Sequence, residues 1–403
     1  MKRFLSFLFL AFAAAAQATD PVLNLSARQR YPWNGLVDIS FTLDAGAWRD
    51  LSLAATNAAT GEALSVATVY PRGGAAGDPL RFAPGETHLV WDAGADVPEA
   101  VIASVALTVS ATPVPLYVVV DLSGGADAAS YPVSTLYVEP AGGFNATEYK
   151  TTKLVLRRIE PGTFTMGSPA DEVGRYDDYE TQHSVTLTQA FYIGVFELTQ
   201  KQWSLVMGNN PSSFKGDARP VESISYDDIR GSSSGAGWPA SDAVDASSFL
   251  GKLRARAPGC AWDLPTEAQW EYACRAGTTT ALNSGKNLAN ADEDANMAEV
   301  GRYWCNCGQD CHAVAGSYLP NAWGLYDMHG NVWEWCLDWW QSSLGASAAT
   351  DPKGASSGSD RVRRGGGWDY YAKNCRSANR DDGTDPSCAL NFLGFRLSMI
   401  LPE

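Results

Sequence analysis

Along residues 19–112, apolar and polar positions alternate in short runs. In Val37-Asp38-Ile39-Ser40-Phe41-Thr42-Leu43 every second side chain is apolar, the period of a strand that buries one face. Residues 88–91 and 105–109 are further strand candidates, and Gly, Pro, Asn and Asp separate the runs. The pattern predicts a small all-β sandwich, in which His88 is a strand residue rather than a ligand. Residues 113–150 carry Pro113, Pro115, Pro132, Pro140 and glycines near Gly124 and Gly142. They read as a linker with one or two short strands, of which 117–122 could join either neighbour.

From Lys153 onward long periodic segments become rare, which predicts many ordered loops. Three helices can be placed. Thr199-x-x-Gln202 is a capping box, followed by Trp203, Val206 and Met207 on one face and Gly208 as a stop. Ala243, Ala246, Leu250 and Leu253 recur at helical spacing after a cap at Ser241, and Pro258-Gly259 ends the run. Thr266-x-x-Gln269 caps a third helix with Trp270 and Ala273 inside and Gly277 at its end. Val185, Leu187, Phe191, Ile193 and Val195 alternate as one or two strands.

Three global features narrow the function. Residues 1–18 begin with Lys2-Arg3, continue in an apolar run and reach Ala16-Gln17-Ala18, the layout of a removable signal peptide. The run is shorter than the roughly 20 residues that span a bilayer, so the chain is expected to be exported, periplasmic or extracellular, without a membrane span. The formal net charge is −15, which argues against nucleic acid as a partner. Eight cysteines in an exported chain favour disulfides over cytosolic metal chemistry.

Four motifs carry chemistry. They are FTMGSP at 164–169, LPTEAQWEYACRAG at 264–277, NAWGLYDMHGNVWEW at 321–335, and RRGGGWDYYAKNCRSANR at 363–380, ending in LGFRL. In this order they resemble the formylglycine-generating enzyme (sulfatase-modifying factor) family. The resemblance implies that residues 151–403 form that family's loop-rich α+β, C-type-lectin-like domain. In members that make formylglycine, two nearby cysteines after a Gly-Gly-Ser segment hold reduced copper, and polarisable thiolates suit that soft ion. Here Gly365-Gly366-Gly367 is followed by Trp368-Asp369-Tyr370-Tyr371-Ala372-Lys373-Asn374-Cys375, a shorter stretch without that pair. Copper is therefore expected only if the chain is an enzyme after all. Only four histidines, His88, His183, His312 and His329, are present, too dispersed for a two-histidine iron site.

The resemblance also implies structural calcium. One ligand set falls on the side chains of Asp327 and Glu334 and the carbonyls of Gly330 and Val332, hard oxygens on an irregular loop. A second would begin at Asn296 and Met297 and draw on the segment 305–311, where Cys305, Cys307 and Cys311 now stand. Those cysteines pin a loop through disulfides, with Cys260, Cys336 or Cys388 as partners, or take a soft metal. By the same resemblance Cys274 is expected to pair with Cys375, although Cys375 falls about two residues out of the family's register.

Trp368, Asp369, Tyr370, Tyr371, Lys373, Asp381, Asp382, Asn391 and Phe392 lie between the framework motifs and are residue types that make adaptable binding surfaces. Their layout resembles the variable region of retroelement-diversified proteins of this fold. The sequence thus predicts a non-catalytic binder of a protein, peptide or glycan ligand. The rival is an oxidoreductase that modifies a protein cysteine.

Overall fold

The computed structural model describes residues 22–400 apart from 31–34, 45, 79, 99–104, 309 and 310. The signal-peptide expectation for 1–18 lies outside the described residues. The first alternating run is the strand Leu36–Leu43, with Val37, Ile39, Phe41 and Leu43 buried. It pairs with Val22–Gln29 and Gly85–Asp92, and Val69–Pro71 completes the sheet. A second sheet joins Ala63–Leu64, Arg49–Asn57, Arg81–Phe82 and Val105–Pro113. Apolar residues from both sheets, Ile39 and Phe41 from one and Leu51 and Leu107 from the other, share a single core.

The chain divides into two compact units between Leu116 and Tyr117. This corrects the linker assigned to 113–150. Tyr117–Asp121 is an interior strand of the second unit, paired with Val133–Leu136 on one side and Lys153–Ile159 on the other. Tyr117, Val118, Val119 and Val120 are all buried, so the run is apolar on both faces, as an interior strand requires. The sheet continues through Phe191–Gly194 and Ser398–Ile400 to Ala261–Asp263 at its edge. A separate small sheet places Trp333–Trp339 between Arg361–Arg364 and Leu393–Gly394, which sets the third motif between the two ends of the fourth.

The capping boxes at Thr199 and Thr266 form as expected, opening the helices Gln200–Met207 and Glu267–Arg275. Gly208 ends the first at φ 85°, while the second turns over through Ala276 and Gly277, both left-handed. The middle helix starts later than predicted. It runs Phe249–Arg256 with Ser248, not Ser241, as its cap. The Asp245 carboxylate accepts the N–H groups of Ser233 and Ser234 at 3.0 and 2.6 Å, and this holds the chain before Ser248 in a loop.

The second unit buries many charges, and most are paired. Arg376 donates to Glu172 at 2.5 Å and to Glu180 at 2.7 Å. Arg380 forks onto Glu267 at 2.5 and 3.0 Å. Arg396 forks onto Glu334 at 2.6 Å, and Arg364 pairs with Glu271. Asp338 lacks such a partner. Its Oδ2 accepts the Glu267 N–H at 2.7 Å, and burial, with the Glu267 charge adding to it, pushes its pKa up to about 7.

An unfolded Asp titrates near 3.9, so the folded protein holds this proton more tightly than the unfolded chain. The Asp338 contribution is therefore fully present below about pH 4 and is lost as pH rises through about 7. Asp338→Asn keeps an acceptor for Glu267 and removes the penalty. Denaturant unfolding across pH should find the variant more stable than the parent at pH 8, by up to about 4 kcal/mol, with the gap closing near pH 4. A constant gap would exclude this titration as the cause.

Candidate functional site

The helix Glu267–Arg275 is the fixed point from which the site is built. Its Trp270 indole donates to Glu334 Oε2 at 2.7 Å, and Glu271 Oε1 accepts the Gly167 N–H at 2.9 Å. Asn321 donates to the carbonyls of Ala273 and Cys274 at 2.8 and 3.2 Å. Each motif segment is thereby tied to one helix.

The loop between Asn321 and Trp333 gathers buried acids. Asp327 takes a left-handed conformation, φ 55°, and its Oδ2 accepts the Gly316 N–H at 2.5 Å. Its Oδ1 is buried without a hydrogen-bond partner, and burial pushes the carboxyl up to about 6. Glu197, which no motif pointed to, accepts from Asn331 Nδ2 at 2.5 Å and Val332 N at 3.1 Å. Its pKa is raised well above the ordinary value by burial and then by the charges of Asp327 and Glu334. Gly330 sits at φ 71°, and a Cβ there would meet the Arg302 carbonyl at 2.0 Å, so only glycine fits this turn.

Three buried carboxylates thus influence one another, while Arg396 is committed to Glu334. The orphaned Asp327 oxygen and this surplus of negative charge fit a hard cation held by oxygens. The site would use two side chains and main-chain carbonyls; among the described residues no three His, Cys, Asp or Glu side chains converge for a metal. The second predicted set is arranged differently. Asn296 and Met297 lie in the helix Ala295–Val300, capped by Asp294. The Met297 carbonyl accepts the Gly301 N–H at 3.1 Å, and the Asn296 amide donates to Asn287 at 2.9 Å. Gln309 and Asp310 of the companion segment lie outside the described residues.

Cys274 and Cys375 are both free thiols, which corrects the expected disulfide. The Cys274 thiol lies 3.6 Å from the hydroxyl of Ser377, so the position facing it is two residues beyond Cys375. Cys375 turns instead to the Tyr371 carbonyl at 3.7 Å and packs against Gly366. Burial pushes Cys274 up to about 12 and raises Cys375 as well. His329 lies between them. Its Nε2 accepts the Asn283 N–H at 3.0 Å, which leaves Nδ1 to donate to the Cys375 carbonyl at 2.7 Å, and burial lowers its pKa to about 4. Cys260, Cys305, Cys311, Cys336 and Cys388 are likewise free among the described residues.

The predicted binding residues fall into three groups. Tyr370 packs edge-on against Trp333 and Phe392, with centroids 5.3 and 5.5 Å apart. Arg363, which the sequence reading missed, lies 4.9 Å over Trp333 and pairs with Asp381. Beside them Asp369 is half-buried, its Oδ1 has no hydrogen-bond partner, and burial pushes it up to about 6. Trp368 and Asn391 form a second group. The Trp368 indole donates to the Asn391 carbonyl at 3.3 Å and stands edge-on to Phe214. Tyr371 and Asp382 are exposed, and Lys373 lies 3.7 Å from Asp292.

A family model described as the sulfatase-modifying factor enzyme 1-like domain matches residues 143–399. The chain is 38% identical over 148 residues to the formylglycine-generating enzyme of Mus musculus, covering 34% of this chain and 40% of that one. With the enzyme of Streptomyces coelicolor it shares 41% over 150 residues, covering 33% and 45%. With the chaperone protein LppX of Paenibacillus barcinonensis it shares 34% over 216 residues, covering 46% and 71%. Among solved structures, Treponema denticola variable protein 1 superposes with a TM-score of 0.50 at 27% identity, covering 62% of this chain and 96% of that one. PvdO from Pseudomonas aeruginosa gives 0.50 at 26%, covering 61% and 94%. The chain spans less than half the length of the two formylglycine-generating enzymes.

The facing of Cys274 and Ser377 has a direct test. Ser377→Cys should form a disulfide with Cys274 under mild oxidation, detected by peptide mass mapping and a loss of two titratable thiols. Closing a loop of this length should stabilise the oxidised variant by about 2–4 kcal/mol. A bond from Cys274 to Cys375 in the parent protein would show that the thiols are arranged differently.

Proposed function

The chain belongs to the sulfatase-modifying factor family, and we propose that it is an exported, non-catalytic member whose 368–392 face binds a protein, peptide or glycan. One observation carries this reading. Where formylglycine-generating relatives hold a copper-binding thiol pair, this chain has Asp369, Tyr370 and Tyr371, and its nearest cysteine is wholly buried with a raised pKa. A metal-binding or nucleophilic cysteine must be a thiolate, and burial of this kind opposes it. The face instead combines aromatic area with an unpartnered carboxylate oxygen, a composition suited to recognition. Similarity to a protein named for its variability supports the same reading. A near-repeat of the DNA coding for 368–392, differing at adenines and beside a reverse transcriptase gene, would mark this face as diversified. Export rests on the layout of residues 1–18.

Calcium is part of the proposal. Asp327, Glu334 and the carbonyls of Gly330 and Val332 would hold it, with Glu197 adding to the local charge. Its role there is to neutralise buried carboxylates and fix the loop. Calcium titration should raise the melting temperature of the parent protein, and Asp327→Ala should abolish the increase. An equal increase in both would remove Asp327 from the site.

Binding should be screened against peptides, glycans and surface proteins. Alanine at Asp369, Tyr370 and Tyr371 together should weaken a detected interaction at least tenfold, with the melting temperature nearly unchanged. An interaction that survives all three changes would place recognition elsewhere.

The identity to two formylglycine-generating enzymes favours catalysis as the second reading. Incubation with copper, oxygen and a cysteine peptide, followed by mass spectrometry, decides between the two. Aldehyde formation that depends on one of the chain's cysteines would establish the enzyme.

A further inference from the structure

A cavity of about 580 Å³ opens in the second unit, and none of residues 368–392 lines it. Its volume falls within the roughly 300–1,000 Å³ of small-molecule sites. One wall is Trp238, held in place by its own surroundings. The indole N–H donates to the Lys353 carbonyl at 3.2 Å, and the Lys353 ammonium stands 5.6 Å from the ring centre. Leu264, Leu337 and Met399 supply apolar surface.

The polar groups of the cavity differ in how far they are committed. Asp263 accepts from Arg230 at 2.8 Å and Arg254 at 3.1 Å, which neutralises its charge. Asp351 accepts from the Thr188 N–H and hydroxyl at 2.9 and 2.5 Å. The Gln269 carbonyl is fixed by the Thr266 N–H at 2.9 Å, which leaves the amide NH2 as a free donor. Asp242 at the rim uses only its main-chain carbonyl, which accepts from Arg254 at 2.8 Å. The uncommitted charged groups are thus one carboxylate and one ammonium, with no excess of either sign, and beside them stand the Gln269 amide donor and the amide of Gln189.

That set selects a ligand with an apolar face, no strong net charge and several groups able both to donate and to accept. Donors are needed toward Asp242, acceptors toward Gln269 and Lys353, and a flat hydrocarbon face toward Trp238. An extended peptide adding to the sheet is disfavoured. Ala261–Asp263 is the edge strand, but its Trp262 carbonyl is already taken by Arg254 Nε at 2.8 Å. We propose that this cavity is a saccharide-binding site, with Trp238 as the stacking platform and Gln269, Asp242 and Lys353 as the hydroxyl-reading groups. It is independent of the 368–392 face.

The test uses the full chain on an array of neutral and uronic-acid mono- to tetrasaccharides, with isothermal titration of any hit. A saccharide should bind and quench indole fluorescence. Trp238→Ala should weaken it at least tenfold, Trp238→Phe should recover part of that loss, and Asp242→Asn should weaken it several-fold without altering the melting temperature. Tyr371→Ala should leave this binding unchanged. An array without a hit would overturn the proposal, as would binding that both Trp238→Ala and Asp242→Asn leave intact. Binding lost only with Tyr371→Ala would also overturn it and would assign the glycan to the 368–392 face.

Discussion

The second unit depends on burying the charges of a single helix opposite charges carried by distant loops. Glu267 receives Arg380, Glu271 receives Arg364, and Trp270 shares Glu334 with Arg396. With little regular structure, this unit cannot rely on continuous strand ladders to fix its loops. Arginine forks do that work, because a planar guanidinium meets a carboxylate in one orientation. Such pairs add little net stability over apolar packing, yet loss of one partner strands the other in a dry interior at a cost of about 3–5 kcal/mol. The motif arginines and glutamates are therefore framework residues.

The same constraint fixes the backbone of the 368–392 region. Arg376 and Arg380 anchor its interior through Glu172, Glu180 and Glu267, and the Phe392 carbonyl accepts the Trp333 N–H at 2.8 Å. Tyr371, before these points, and Asp382, between them, face solvent. Side chains there can change while the anchors hold the backbone.

Local signals were legible in the sequence where the physics is local. Capping boxes at Thr199 and Thr266 need only four residues, and both mark true helix starts. Ser241 is not the cap because the competing cap, Ser248, is favoured by Asp245 binding Ser233 and Ser234 across a loop, a contact that no periodicity encodes. The sheet that Tyr117–Asp121 joins is not legible in sequence, because an apolar run beside prolines does not name its sheet. Glu197 and Arg363 were invisible for the same reason, since each acquires its role from residues far along the chain. The motifs mark the acid-rich loop and the 368–392 segment in sequence, but not which side chains meet there. Tyr370, Phe392 and Asp381 gather around Arg363, whereas Trp368 turns away toward Phe214.

The cysteines show how much a shift of two residues decides. The residue opposite Cys274 must lie within bonding reach of a helix that is itself locked by Glu267 and Glu271, so the geometry admits one position. That position is Ser377, whose hydroxyl accepts from the thiol. Cys375 is held by the 3-10 turn Ala372–Cys375 against Gly366, where burial and the nearby Asp369 charge both oppose ionisation. A thiol at 375 rather than 377 faces the Tyr371 carbonyl instead of Cys274. What remains in the turn is a buried, weakly polar filler, while Tyr371 of the same turn is exposed.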